Sequence, residues 1–267
     1  MNNTLIVLVT HSSFKDICEL YLNLFHKYWP DCPYDFVIGV IGKQISFENE
    51  RVFFCGENAT LPNCILEISK SFNYDYYMCM LGDAFINDYI NTTNVINLIN
   101  HLKKDQMDYC CLIPRKAYRF HKKSVNKIYR YILKNDIYCV SFIAFIANKK
   151  FIQKEFSEKV TDLDFEKKYI SEKQTSTSDY YPNMVILNNN IFNIYPGIEK
   201  GKWNLRTLYL IKSKNHEFLI PNRPKISIVK YCRNLIGSQL QIILSKRQRI
   251  YLKKFLSKVG MNFTIDK

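Results

Sequence analysis

The sequence predicts an α/β protein, with helices flanking a largely parallel sheet and a basic helical segment at the end of the chain. Three observations lead to this prediction. Strand-like apolar runs alternate with segments of helical spacing up to about residue 113. The first of these runs is unbroken and β-branched, and the charge of the chain changes sharply after residue 220.

The first half of the chain alternates regularly between strands and helices. Residues 5–10, LIVLVT, are typical of a strand buried on both faces. Apolar side chains recur at helical spacing across residues 14–28, with Ser12 or Ser13 as the expected N-cap. The other elements predicted here are strands at 34–42, 51–56, 76–81 and 109–114, and helices at 61–72 and 95–102.

The second half is less regular. It contains an expected strand and turn at 138–148, a helix at 149–156, a short acidic helix at 163–169, and a hairpin from strands at 183–188 and 191–197. In the tail, apolar residues three and four apart predict two basic amphipathic helices, at 226–244 and 249–259. We therefore expect an α/β domain, residues 1–207, and a basic helical tail, residues 208–267.

Composition narrows the class of protein. The 267 residues are 47% hydrophobic, enough for one substantial core. The N-terminus lacks the basic and apolar regions of a signal peptide, and no apolar run reaches the roughly 20 residues of a spanning helix, so we expect a soluble or peripheral protein. The nine cysteines have no C-x-x-C spacing, which predicts neither a disulfide framework nor a zinc site and favours a reducing cytosol.

The charge indicates an anionic partner. The net charge is +14, and residues 221–267 hold eleven basic residues against the single acid Asp266. The tail therefore carries +10 of the total. Its aromatic residues are not interleaved with the basic ones as nucleic-acid stacking platforms would be, so we expect no nucleic acid. An anionic membrane surface fits the amphipathic pattern better and predicts a cytoplasmic protein, peripheral on the inner face of the membrane.

One buried strand ends on an acidic turn. The stretch YDYYMCMLGDAFIND, residues 74–88, contains the expected strand followed directly by Gly82 and Asp83. Ligands of open α/β sheets bind outside the carboxyl ends of the strands, where the loop of Thr10, His11 and Ser12 also lies. A carboxylate there can face a diphosphate only if a divalent metal bridges the two anions. The ordinary alternatives are that Asp83 is a turn residue and that Ser12 only caps a helix.

These motifs together resemble bacterial GT-A-type glycosyltransferases that build capsule, lipooligosaccharide and other surface polysaccharides. The resemblance covers roughly residues 4–207 and rests on the order and spacing of four stretches. They are YYMCMLGDAFI at 76–86, YCVSFIAFIANKKFI at 138–152, DLDFE at 162–166 and EKGKWN at 199–204. The resemblance implies a GT-A-like fold and transfer from a nucleotide-sugar donor to a glycan or glycolipid acceptor.

The resemblance also implies roles for particular residues. Thr10, His11 and Ser12 would contact the nucleotide, and Asp83 would bind the metal, Mn²⁺ or Mg²⁺. The family has a pair of acids at this turn and this chain has Gly82-Asp83, so metal-independent transfer and loss of activity both stay open. An inverting transferase needs a carboxylate to take the acceptor proton, and Glu166 is the first candidate, with Asp164 in reserve.

Three further residues are candidates for the leaving diphosphate and the donor. Lys200 and Lys202 would neutralise the charge that grows on the diphosphate during transfer, and Trp203 would pack under sugar or base. The plainer readings are surface lysines, a core tryptophan and, for Glu166 and Asp164, a solvated helix face. At the level of the whole protein, the alternatives are an inactive transferase-like scaffold and, less well supported, a nucleic-acid-binding protein.

Overall fold

A mixed sheet of eight strands forms the centre of the molecule. The computed structural model describes residues 3–114, 125–134, 140–156, 160–161, 164–165, 168–169, 180–214, 218–244, 248 and 251–252. Their strands are β1 (Thr4–His11), β2 (Asp35–Ile41), β3 (Val52–Gly56), β4 (Tyr76–Leu81), β5 (Ala84–Ile86), β6 (Tyr109–Cys111), β7 (Tyr129–Leu133), β8 (Ala144–Asn148), β9 (Tyr180–Leu187), β10 (Ile194–Pro196), β11 (Ile198–Glu199) and β12 (Lys202–Trp203). The order across the main sheet is β3-β2-β1-β4-β8-β6-β9-β7.

The sheet has a parallel half and a mixed half. Strands β3, β2, β1 and β4 are all parallel. Strand β8 then runs antiparallel to both β4 and β6, β9 is parallel to β6, and β7 closes the sheet antiparallel to β9. The α/β fold class is confirmed, with its parallel alternation confined to the first half of the chain.

Helices cover both faces of the sheet. They are α1 (Lys15–Tyr28), α2 (Leu61–Ser71), α3 (Thr92–Lys104), α4 (Lys149–Glu155), α5 (Leu205–Lys214) and α6 (Ile228–Ile243). Alternate residues of β1 supply the two cores, because successive side chains of a strand point to opposite faces. Ile6 and Leu8 pack with α1, α3 and α5, whereas Leu5, Val7 and Val9 pack with α2 and α4.

The prediction of a hairpin after residue 183 is wrong. Strand β9 lies between β6 and β7, and β10 pairs antiparallel with the short strand β5. Alternating apolar residues predict the two strands equally well whether they pair with each other or with distant strands. The sequence pattern therefore does not distinguish the two pairings. The pairing with β5 matters for the site, because β5 follows the acidic turn Gly82-Asp83 directly.

The cysteines and the tail differ from expectation. A disulfide joins Cys55 of β3 to Cys64 of α2, a pair that a search for C-x-x-C spacing does not find. Helix α5 crosses the expected domain boundary at residue 207, and α6 confirms the first tail helix. Of the second, only residues 251–252 lie within the described part, and they are helical.

None of the described helices is both long and apolar enough to cross a lipid bilayer.

Candidate functional site

The first-strand loop, residues 10–13, and the acidic turn, Gly82-Asp83, lie side by side. Val9 pairs with Leu81 in the parallel ladder, and the Gly82 amide donates to the Val9 carbonyl at 2.9 Å. A Cβ built on Gly82 would lie 3.2 Å from Thr10 Oγ1, so Gly82 and Thr10 are in direct contact. The two segments that the sequence singled out therefore meet at the carboxyl edge of the sheet.

His11 and Ser12 tie the first-strand loop to the end of β2. The Ser12 hydroxyl accepts from the Lys43 amide at 2.9 Å, so it does not cap the following helix. Gly42, at φ +90°, brings the chain so close that a Cβ there would lie 2.5 Å from Ser12 Oγ and 2.8 Å from His11 Nε2. Helix α1 begins after Phe14 without a side-chain cap, and His11 caps the short 3-10 turn Ser12–Phe14 before it, where its Nδ1 accepts from the Ser13 amide at 3.1 Å.

That bond also orients the imidazole. A backbone N–H is always a donor, so Nδ1 of His11 is the acceptor and a neutral ring carries its hydrogen on Nε2. His11 is exposed, which leaves Nε2 available as a donor at the site.

A cavity of about 520 Å³ opens beside this loop. Its walls come from the carboxyl ends of β1, β2 and β3, the positions where parallel sheets bind ligands. Lys43 and Glu57 are its ionisable wall residues besides His11, and the other lining residues are Ser12, Ser13, Gly42, Ile45 and Asn58. Asp83 does not line it; the acidic turn sits one strand away, about 5 Å across the ladder.

Asp83 carries a half-buried carboxyl group that no described basic residue pairs with. Burial raises its pKa from 3.8 to about 6, and its own backbone amide opposes the rise. Among the residues that the structure describes, no basic side chain forms a salt bridge with it. An ionised carboxylate in such a place is destabilised until a positive charge arrives. Perturbed groups of this kind concentrate at functional sites.

The acidic turn rests on the segment around Gly197. The Gly197 amide donates to the Asp83 carbonyl at 2.8 Å, and a Cβ on Gly197 would meet the Phe85 ring at 2.2 Å. Trp203 stacks on that same ring, with centroids 5.6 Å apart and planes at 26°. Trp203 is 1% exposed, so it supports the turn from inside the core and offers no face to a sugar or base, contrary to the expected contact.

Lys200 and Lys202 lie on the hairpin formed by β11 and β12. Lys200 and Gly201 form its two-residue turn with positive φ angles of 50° and 75°, as expected for a type I′ hairpin. Both lysines are exposed. The hairpin begins directly after Gly197, so the expected cations belong to the segment that holds the acidic turn.

Of the two residues proposed as the catalytic base, the structure describes only Asp164. Asp164 accepts from the Thr161 hydroxyl at 2.6 Å, while the Thr161 hydroxyl accepts from the Asp164 amide at 3.2 Å. The neighbouring Val160 carbonyl accepts from Thr60, the N-cap of α2. Nothing described joins Asp164 to the acidic turn. Glu166 lies outside the described residues.

Arg223 is a residue of this region that the sequence reasoning missed. Its guanidinium forms a two-point ion pair with Asp16 of α1, at 2.5 and 3.0 Å, and donates to the Ser13 carbonyl at 3.1 Å. It also lies over the Phe14 ring at 4.5 Å. In the sequence, Arg223 is only one of the eleven basic residues of the tail. The flanking Pro221 and Pro224 were the one local signal, because they predict an extended segment that can lie along the domain.

Comparison with known proteins supports the fold. No family model matches the sequence, and neither does any curated protein. A cytidylyltransferase from Leptospira borgpetersenii serovar Hardjo-bovis has 13% identity and a TM-score of 0.50, covering 92% of this chain and 99% of its own. This likeness shows a shared α/β fold and nothing finer.

Two further solved structures are similar at lower scores. S. aureus TarS, in a structure of residues 1–349, has 10% identity and a TM-score of 0.45 over 70% of this chain; this chain spans only 58% of it. CMP:2-keto-3-deoxy-manno-octonic acid synthetase, complexed with CTP, has 9% identity and a TM-score of 0.46, covering 81% of this chain and 99% of its own.

Proposed function

We propose that this chain transfers a sugar from a nucleotide-sugar donor to a hydroxyl group of a glycan acceptor. One observation carries the proposal: Asp83 is a half-buried carboxyl group with no basic partner among the described residues, at the sheet edge beside Thr10. The neighbouring cavity, about 520 Å³, has the size of sites that enclose small ligands.

The donor would lie across two strands. Its base and ribose would enter the cavity beside His11 and Ser12, with the Nε2 hydrogen of His11 as one donor. Its diphosphate would extend past Thr10 to the acidic turn. The exposed Lys200 and Lys202 would offset the charge that develops on the leaving diphosphate.

A divalent cation, Mn²⁺ or Mg²⁺, fits Asp83 as a single protein ligand. The described residues contain no cluster of three or more His, Cys, Asp or Glu side chains that could hold a metal. Diphosphate oxygens and water would therefore complete the coordination, as is usual for Mg²⁺. When bound, the metal would screen Asp83 from the phosphates and stabilise the leaving group.

In the transfer itself, the acceptor oxygen would form a bond to the anomeric carbon of the sugar. The bond from that carbon to the diphosphate oxygen would break, and the nucleoside diphosphate would leave with the electron pair. Asp164 or Glu166 would take the proton of the acceptor hydroxyl. For Asp164, this requires its hydrogen bond with Thr161 to open.

The acceptor that we propose is a lipid-linked surface glycan on the inner, cytoplasmic face of a membrane. The basic tail supports this choice, because each cation near an anionic membrane surface contributes about 1 kcal/mol of binding.

A second candidate function is nucleotidyl transfer, which the likeness to the cytidylyltransferase favours. In that reaction, a sugar phosphate oxygen attacks the α-phosphorus of a nucleoside triphosphate and pyrophosphate leaves. Asp83 and the cavity would serve either reaction. The products separate the two: a nucleoside diphosphate released from a nucleotide sugar, or pyrophosphate released from CTP and a sugar phosphate.

The first experiment is a thermal-shift screen against nucleoside diphosphates, with and without Mn²⁺. Ligand at 100 times its dissociation constant stabilises the folded state by about 2.7 kcal/mol. We expect a metal-dependent shift that Asp83→Asn removes. Asp88→Asn is the matched control, because Asp88 is exposed and paired with Lys214 at 2.6 Å. No shift with any nucleoside diphosphate, and none with CTP, would contradict both enzymatic proposals and favour the inactive scaffold.

A further inference from the structure

Helix α6 exposes an apolar face. Ile228, Val229, Ile236 and Ile243 are 72%, 79%, 59% and 61% exposed. At 100° per residue, these positions fall within about one third of the helix circumference, with the exposed Cys232 and Gln239 between them. The face runs the full 16 residues of the helix, a length of about 24 Å.

The opposite face of α6 is polar and holds the helix on the domain. Lys230 forms an ion pair with Glu199 of the hairpin at 2.6 Å, and Asn234, one turn on, donates to the same carboxylate at 3.4 Å. Just before the helix, Ile226 is buried and its amide donates to the Trp203 carbonyl. These two described contacts with the domain are thus made from the polar side of α6, and the isoleucines and the valine lie on the side away from Glu199.

An exposed and largely apolar face of this kind, interrupted by the polar side chain of Gln239, marks an interaction surface. Its charge indicates what covers it. Arg233 and Lys225 are exposed near the apolar face, no acid occurs within α6, and residues 221–267 carry a net charge of +10. A second copy of the chain would bring the same positive charge against itself, whereas an anionic lipid surface offers both apolar contact and opposite charge.

We infer that α6 binds in the headgroup region of an anionic bilayer, with Ile236 and Ile243 toward the acyl chains. The helix would lie parallel to the membrane, and its polar face would keep the contacts with Glu199. The assignment of this face follows from the orientation of α6 on the domain, which the sequence pattern does not give.

This orientation places the acidic turn near the lipid. The consequence for acceptor binding rests on the proposed function. Glu199 is two residues from Gly197, whose amide holds the Asp83 carbonyl, so the two anchor points are within about 7 Å along the strand. A lipid-linked acceptor would then reach the site from the surface on which α6 lies.

The test is cosedimentation of the full chain with vesicles. We expect binding to vesicles of equal parts phosphatidylglycerol and phosphatidylcholine, weakening as salt rises, and little binding to phosphatidylcholine alone. Ile236→Glu and Ile243→Glu should each lower the affinity about tenfold or more, because each removes an inserted aliphatic side chain and adds a negative charge. Tyr209→Glu, at a 70% exposed position of α5, is the matched control and should bind more like the wild type.

Three outcomes would overturn the inference. They are equal binding by the Ile236→Glu/Ile243→Glu double variant, no binding by the wild type, and a lipid-free dimer in sedimentation equilibrium that these substitutions dissociate. Both substituted positions are more than half exposed, so we expect the variants to fold and to keep any nucleotide-dependent thermal shift. Loss of vesicle binding with that shift intact separates this inference from the proposed function.

Discussion

The acidic turn contains a residue whose charge works against the folded state. Burial raises the pKa of Asp83 from 3.8 to about 6. The protonated form is therefore favoured by folding, and its contribution is complete below pH 3.8 and lost as the pH rises through about 6. Above pH 6 the protein keeps an ionised carboxylate that a metal or another cation would stabilise.

The first prediction follows from this sign. Asp83→Asn should raise the free energy of unfolding at pH 8 by about 1–2 kcal/mol, less than the full pKa difference implies because the side chain is partly exposed. Near pH 4 the gain should vanish. Urea unfolding at both pH values measures it.

The matched control is Asp88→Asn, five residues along the chain. Asp88 is exposed, and the hydrogen bond from Lys214 lowers its pKa, so this substitution should bring no gain at pH 8. Equal gains in both variants would show that the overall charge, and not the burial of Asp83, is responsible.

Gly42 gives a second prediction at the scale of one residue. Gly42→Ala should destabilise the protein by about 2–4 kcal/mol, because it combines a positive φ with a clash against Ser12. It should also abolish the nucleotide-dependent thermal shift, since the first-strand loop must move.

Gly201→Ala separates the two causes of the lower stability expected for Gly42→Ala, the positive φ and the clash with Ser12. Gly201 also has a positive φ, 75°, but a Cβ there meets no atom within 4 Å. Its cost should be only the backbone term, about 1–2 kcal/mol. A loss at Gly201 as large as that at Gly42 would exclude the contact with Ser12 as a cause.

Between elements, the ion pair of Arg223 and Asp16 joins the tail segment to α1. Arg223→Ala should lower the free energy of unfolding by about 1 kcal/mol and weaken nucleotide binding, because the guanidinium also holds the Ser13 carbonyl of the first-strand loop. Thermal unfolding and nucleotide titration measure the two effects.

A double-mutant cycle tests whether the pair is the cause. Asp16→Ala should remove much of the same energy, and the double variant should lose less than the sum of the two. Arg223→Lys keeps the charge and loses the two-point geometry, so it should fall between Arg223→Ala and the wild type. Strict additivity would contradict coupling between the two elements.

The elements that the sequence predicts well are those with a clear pattern of apolar residues. β1, β2, β4, α1 and α2 are continuous apolar runs or amphipathic helices, and they are found within one or two residues of the predicted bounds. The short strands β5 and β7 were missed. Strand β7 contains Arg130, which is only 4% exposed. A charged residue at a buried position hides the apolar pattern that would predict a strand there. β5 is three residues long, too short for any period to be visible.

The candidate site is predictable only where neighbouring strands form it. Thr10 and Gly82 meet because parallel strands end at the same edge, a rule that needs no coordinates. The stacking of Trp203 on Phe85 and the ion pair of Arg223 with Asp16 join distant parts of the chain, and no local pattern specifies such partners. The same limit applies to the outward apolar face of α6.

Considered as a whole, the molecule has no clean division at residue 207. Leu208 and Ile211 of α5 belong to the same core as α1 and α3, and Ile226 is 3% exposed. Trp203 Nε1 donates to the Pro221 carbonyl, and the Trp203 amide donates to the Pro224 carbonyl. The first part of the expected tail is thus built into the α/β domain, whereas the described helix α6 stands on its surface.

Two truncated chains test this division. Ending the chain after residue 207 removes Leu208, Ile211 and Ile226, each contributing about 1.5–3 kcal/mol when buried, a total comparable to the roughly 5–15 kcal/mol that holds a domain folded. This chain should fail to unfold cooperatively in thermal denaturation. Ending after residue 227 keeps all three residues and Arg223, and it removes an exposed helix held by a surface ion pair worth about 0–1 kcal/mol. That chain should fold, keep any nucleotide-dependent shift and lose binding to anionic vesicles; a stable chain of 207 residues, or vesicle binding without α6, would show that the structural division lies elsewhere.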